Sequence, residues 1–188
     1  MAWATPLYEV QEVNAAGKML AKALIPTVNE PYLGVINNWR SSHSYPLNTF
    51  QITLRKRAKK YEKDITVAQR IKRLESIHAK LSRQKTMRLS QMQDIAGCRV
   101  VFKNVINVRK LANRYKTSSF DHIFRGEKDY ISSPKADGYR CHHLVFEYCG
   151  VGPTTAYNGT KIEIQIRTQR QHAWATAVEA VGIFTNRH

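Results

Sequence analysis

The chain has 188 residues, 43% of them hydrophobic and 10% aromatic, which suits one substantial core with a helical extension and excludes a disordered polyelectrolyte. Thirty Lys and Arg against 14 Asp and Glu give a formal charge of +16; such a field draws in polyanions such as nucleotides or nucleic acid, although a solvated basic surface has the same count. No apolar run approaches the ~20 residues of a membrane span, the opening MAWATPLYEV lacks a signal pattern, and Cys98, Cys141 and Cys149 are odd in number without CxxC spacing, so a cytoplasmic protein with neither a disulfide frame nor structural zinc is expected.

From the N-terminus, residues 8–25 place Val10, Val13, Met19, Leu20, Ala23 and Leu24 at roughly helical spacing, with Pro26 as the stop. A second helix is predicted from Tyr32 to Trp39. Tyr45-Pro46 reads as a break before a third, strongly basic segment, LRKRAKKYEK. VAQRIKRLESIHAKL starts as a short strand, with Arg70 and Lys72 on one face and Ile71 on the other, and passes into a helix through Ser76. IAGCRVVF (95–102) reads as a buried strand, INVRKLANRYK as an amphipathic helix, RCHHLVFEY (140–148) as another strand and QRQHAWATAVEAVGIF as a final helix. The expected class is α+β: a mixed sheet with flanking helices over 64–188, preceded by a helical N-terminal extension over 1–63.

The clearest stretch is KIEIQIRT, 161–168. Its even positions are isoleucine, while Lys161, Glu163, Gln165 and Arg167 fall on the other face, about 6 to 7 Å apart along the strand. Either this face or that of Arg70 and Lys72 alone is explained by solvent; their conjunction is harder to dismiss. Asp94, just before an apolar strand, can hold a divalent cation or cap a turn. KDYISSPKADGYR (128–140) combines Lys128, Lys135 and Arg140 with the turn residues Pro134, Asp137 and Gly138, and Tyr139 offers a plane that can stack a base or fill a core. His142 and His143 lie on opposite strand faces. There is no GxxxxGK[ST] or GxGxxG, so a bound nucleotide must be held by side chains on a sheet.

RIKRLESIHAKL, DIAGCRVVF, KDYISSPKADGYRCHHL and KIEIQIRTQRQHAWA, in this order, resemble the synthetase domain of the RelA/SpoT family, over roughly residues 66–176. The resemblance implies a nucleotidyltransferase-like synthetase fold and transfer of the β,γ-pyrophosphate of ATP to a ribose 3′-hydroxyl, with release of AMP. It implies that Arg70 stacks on adenine, that Lys72 and Lys80 meet ATP phosphates, and that Asp94 and Glu163 coordinate Mg²⁺, Glu163 also taking the proton of the attacking hydroxyl. Arg99, Lys128 and Lys135 would line the triphosphate pocket, and His143, Gln165 and Arg167 the acceptor pocket, with Tyr139 stacking the acceptor base.

The chain also departs from the family pattern. The long members carry a hydrolase domain for which 188 residues leave no room, so product hydrolysis is not expected. Small alarmone synthetases continue after Trp-Ala with a Glu-His pair, whereas WATAVEAVGIF places Glu179 one position later without the histidine; with NNWRSSHSYPLN this is similar to the toxin-like branch, which includes members fused to an antitoxin. An antitoxin segment or partner is therefore an expectation. Cations beyond those one nucleotide pair needs favour the 3′ end of tRNA as acceptor. GDP or GTP, as in a (p)ppGpp synthetase, and a catalytically inactive nucleotide- or RNA-binding module are the alternatives.

Overall fold

The computed structural model describes residues 3–22 and 28–185, with side chains to Val181. Three helices come first: α1 (Val10–Lys22), α2 (Glu30–Ser42) and α3 (Ser44–Ala58). Then follow β1 (Thr66–Ile71), α4 (Leu74–Arg83), β2 (Ala96–Phe102), α5 (Val105–Thr117), β3 (Ile123–Asp129), β4 (His142–Glu147), β5 (Lys161–Thr168) and α6 (Gln169–Thr185). The five strands form one sheet in the order β1-β2-β5-β4-β3, in which β2 and β5 are parallel and the other pairs antiparallel.

β5 spans the whole of KIEIQIRT. Ile162, Ile164 and Ile166 are fully buried beside Cys98, Val100, Leu144 and Phe146. Each such side chain contributes about 1.5–3 kcal/mol when withdrawn from water. Two helices cover this face: α3 through Leu47, Phe50, Leu54 and Ala58, and α5 through Val108, Leu111, Ala112 and Tyr115, each set at the three- and four-residue spacing that forms one apolar stripe. The Asn104 side chain starts α5 by accepting the Asn107 N–H at 2.9 Å.

A second core joins α1, α2 and α4 through Val13, Leu20, Ile36, Ile77, Leu81, Leu89 and Ile95. Residues before 63 thus share both cores with residues after it. The change at 63/64 is one of secondary structure and not of packing.

Several expected boundaries move. Pro46 is no break: it occupies the first turn of α3, where a backbone N–H has no intrahelical partner, and His43 alone separates α2 from α3. α4 begins at Leu74, so Ser76 lies inside it, and no side chain caps its start. β3 takes Lys128 and Asp129 out of the predicted loop; the bulge at Gly126 and the charges on both strand faces hide its period. Pro26, expected to stop the first helix, lies outside the described residues.

Candidate active site

The sheet register determines which polar side chains meet. On the face away from α3 and α5, Arg99 pairs with Gln165, Gln165 with His143, and His143 with Lys128. In the adjacent row Arg70 pairs with Gly97, Gly97 with Glu163 and Glu163 with Val145. Gly97 keeps the floor low: a Cβ there would stand 3.2 Å from the Glu163 carbonyl oxygen.

Asp94, in the turn before β2, has both oxygens engaged. Lys72, just after β1, donates to Oδ2 at 2.9 Å and Lys80, on α4, to Oδ1 at 2.8 Å. Burial opposes ionisation, but the two ammonium groups outweigh it and hold the carboxyl at a pKa of about 2. Arg40, on α2, donates to the Lys72 carbonyl at 3.0 Å and fixes the turn that presents this lysine.

Glu163 is held by different chemistry. Gln165 Nε2 donates to its Oε1 at 2.6 Å, and His143 Nδ1 lies 3.1 Å from Oε2. Burial alone would lower the His143 pKa, but the neighbouring Cys141 thiol and the Glu163 carboxylate reverse this and lift it to about 9. Glu163 is the partner whose charge is present at neutral pH. The imidazolium therefore donates on both sides, to Glu163 and, from Nε2, to the Tyr139 hydroxyl at 2.8 Å. Burial pushes the Glu163 carboxyl up, His143 and Gln165 pull it below its ordinary value, and Asp94 lies close enough to oppose them.

At the other end of β5 cations outnumber their partners. Arg167 is 4% exposed, and its Nε, like the Arg99 Nε, has no hydrogen-bond partner among the described residues. Burial, then Arg167 and Arg70, push the Arg99 guanidinium pKa down, while burial, Arg167 and Arg99 lower that of His172 on α6; Glu179, also on α6, opposes both shifts. Crowded buried guanidinium donors call for an anionic oxygen.

The connection from Tyr130 to Cys141 closes the site on the β4 side. Lys135 Nζ stands 4.9 Å from the ring centroids of both Tyr130 and Tyr139. Trp174, on α6, donates to the Asp137 carbonyl at 3.1 Å, and Gly138, at φ +77°, lies under its indole where a side chain would be both strained and obstructed. All twelve of the predicted residues lie on this face or on the loops and helix bordering it: Arg70, Lys72, Lys80, Asp94, Arg99, Lys128, Lys135, Tyr139, His143, Glu163, Gln165 and Arg167. Lys128 is exposed on the edge strand and, unlike the Asp94 lysines, holds no carboxylate among the described residues. Tyr139 already meets Lys135 and, edge-on, Tyr130 at 5.8 Å, so a base would have to stack beside them. Sequence reasoning missed Arg40, Tyr130, His172 and Trp174; WRSSH and QRQHAWA contain three of them, but nothing local says that they reach the sheet.

Two carboxylates on one face suit Mg²⁺, which takes one or two carboxylates together with substrate phosphates and needs no all-protein cage. No cluster of three or more His, Cys, Asp or Glu that could form such a cage occurs among the described residues, and none of the described helices is long and apolar enough to cross a membrane.

Residues 69–187 match the family model described as a region found in RelA / SpoT proteins. The chain is 36% identical over 113 residues to GTP pyrophosphokinase YwaC of Bacillus subtilis and 35% identical over 116 residues to GTP pyrophosphokinase YjbM of the same organism. These alignments cover 57% and 58% of this chain and 52% of each relative, so the chain spans about half the length of the curated relatives it matches. The fold superposes on the crystal structure of small alarmone synthetase 1 from Bacillus subtilis bound to its product pppGpp, with a TM-score of 0.69 and 26% identity over 78% of this chain and 79% of the other. It also superposes on a GTP pyrophosphokinase family protein from Streptococcus pneumoniae, with a TM-score of 0.68 and 30% identity over 78% and 76% of the two chains.

Proposed function

Because the chain belongs to the RelA/SpoT family, we propose that it is a pyrophosphotransferase, moving the β,γ-pyrophosphate of ATP to a ribose 3′-hydroxyl. The observation that carries this reading is the pair of carboxylates, Asp94 and Glu163, set among Arg70, Lys72, Lys80, Arg99 and Arg167 on one sheet face. Phosphoryl chemistry of this kind needs positioning and neutralised charge more than covalent help. A bond forms between O3′ and Pβ while the bond from Pβ to the oxygen bridging to Pα breaks, so AMP leaves with that oxygen and its negative charge.

Arg70, exposed on β1, is free to lie on the adenine, Lys72, Lys80, Arg99, Lys128 and Lys135 offer donors to the triphosphate, and Arg167 faces the acceptor. Asp94 and Glu163 would hold Mg²⁺, which when bound neutralises charge along the phosphate chain. Glu163 takes the proton of the attacking hydroxyl. Its depressed pKa makes it a weak base in the free protein; an anionic triphosphate nearby raises that pKa toward the range a general base needs.

For the acceptor, the cations outside the site favour the 3′ end of tRNA. Arg55, Lys56 and Arg57 crowd the last turn of α3, and the chain carries +16 overall. A guanosine nucleotide is the second reading, supported by the names of the matched relatives and by the pppGpp in the matched crystal structure. A tRNA acceptor would also make the protein an inhibitor of translation and give an antitoxin a purpose; the cytoplasm, where ATP and both acceptors occur, is the proposed compartment.

The test is γ-labelled ATP with Mg²⁺ and, separately, GDP, GTP and deacylated tRNA, reading both label on the acceptor and AMP released. Label on tRNA that falls steeply with added salt supports the first reading; label on GDP or GTP with a weaker salt response supports the second. Folded protein that labels none of the three is the inactive binding module.

A further inference from the structure

The other face of β3 and β4 carries a charged network that has no part in the reaction above. Arg109, on α5, donates from Nη1 to Asp129 Oδ2 and, at 3.2 Å, to His142 Nδ1, and from Nη2 to Ser132 Oγ at 2.8 Å. An arginine has no lone pair to offer, so His142 Nδ1 is the acceptor and its ring proton sits on Nε2, 3.1 Å from Glu127 Oε2. Lys116, also on α5, holds the same Glu127 oxygen at 3.1 Å.

The network stands at the root of the Tyr130–Cys141 connection. Asp129 Oδ1 accepts the N–H groups of Ile131 at 3.0 Å and Ser132 at 3.2 Å, and its carbonyl accepts that of Ser133 at 3.0 Å. Together these turn the chain out of β3. Tyr130 N–H meets the Cys141 carbonyl at 3.0 Å and closes the neck. Above the neck are Lys135, exposed, and Tyr139, half-buried, both dependent on the path of this loop. Arg109 therefore ties the loop root to a helix whose apolar stripe is fixed in the main core. Charge-assisted hydrogen bonds of this kind oppose the entropy that an untethered loop would regain.

We propose that Arg109 is a positioning residue for the acceptor: by gripping Asp129 and Ser132 from behind the sheet it holds the loop that presents Tyr139, the ring expected to stack the acceptor base, without touching either substrate. The acceptor half of this inference rests on the transfer reading above; the clamp itself does not. Its consequence is a division of effects, since Asp94, Lys72 and Lys80 on the ATP side are attached to other elements.

The experiment compares wild type with Arg109→Ala, Arg109→Lys and Ser132→Ala in the full chain. Trypsin cleavage after Lys135 and Arg140, followed by mass spectrometry, should quicken about tenfold in Arg109→Ala, with cleavage in α3 unchanged. The KM of whichever acceptor wild type labels, GDP, GTP or deacylated tRNA, should rise about tenfold, while the KM of ATP, which loses only the positioning of Lys135 among several cations, rises clearly less. Arg109→Lys, which keeps one contact but not the fork, should fall between. Unchanged loop cleavage overturns the clamp, and equal rises in both KM values overturn its acceptor role. Should Arg109→Ala fail to fold, Ser132→Ala, which removes one exposed hydroxyl, must still loosen the loop or the proposal falls. Wild-type protein that labels no acceptor sinks the transfer reading and the acceptor role with it, while the cleavage result still decides the clamp.

Discussion

The two faces of the sheet are built from the same strands yet stabilised in opposite ways. Toward α3 and α5, alternate residues are Ile162, Ile164 and Ile166, and the face holds by excluding water. On the other, Glu163, Gln165 and Arg167 stand among cations, and the face holds only as far as each charge finds a partner. The contrast continues within the polar face. Asp94 is gripped by two lysines, whereas Glu163 depends on a histidine whose charge is lost within reach of alkaline pH. One carboxylate is a fixed anchor and the other is adjustable.

The largest effect that tests this contrast is on the polar face. Glu163→Gln should lower transfer by about 10²- to 10⁴-fold, the range for loss of a general base, while ATP binding by calorimetry changes little. Unchanged turnover would remove Glu163 from its role. The mirror experiment is Ile164→Ala, one residue along the strand, which should cost about 2–5 kcal/mol of stability in urea unfolding and leave the KM of ATP near its wild-type value wherever the protein is folded. A loss of activity with full stability would break the comparison.

A third test uses pH. His143 has a folded pKa near 9 against an ordinary 6.5, so its stabilising contribution is complete below about 6.5 and is lost as pH rises through 9. Wild type should lose on the order of 2 to 3 kcal/mol over that window relative to His143→Gln, read from paired unfolding curves. Parallel curves would mean that His143 is neutral in the folded protein. Asp94 has the opposite sign: its contribution is present above about 3.8 and lost as pH falls through about 2. The smallest expected effect is that of Arg40→Ala, which removes one hydrogen bond to the Lys72 carbonyl and should raise the KM of ATP by about threefold to tenfold at nearly constant kcat.

Where a pattern is local, it could be read directly. KIEIQIRT announces its strand and its two faces because side chains alternate with period two in any strand. The α5 stripe follows from the helical period in the same way. IFRGEKD was missed because its charges lie on both sides and Gly126 shifts the register, so no period survives. Tyr45-Pro46 misled because proline breaks a helix in its interior but not in its first turn, and only the fold shows which applies.

The amino-acid sequence by itself determined the strand with its isoleucine face, the surplus of positive charge and the order of motifs that places the chain in its family. Only the tertiary structure decided that Lys72 and Lys80 share Asp94, that His143 links Tyr139 to Glu163, and that Arg109 reaches Asp129 behind the sheet. Periodicity is a property of neighbours along the chain, whereas a hydrogen bond between residues 20 apart, such as His143 to Glu163, depends on strand order and register, which the whole core sets together.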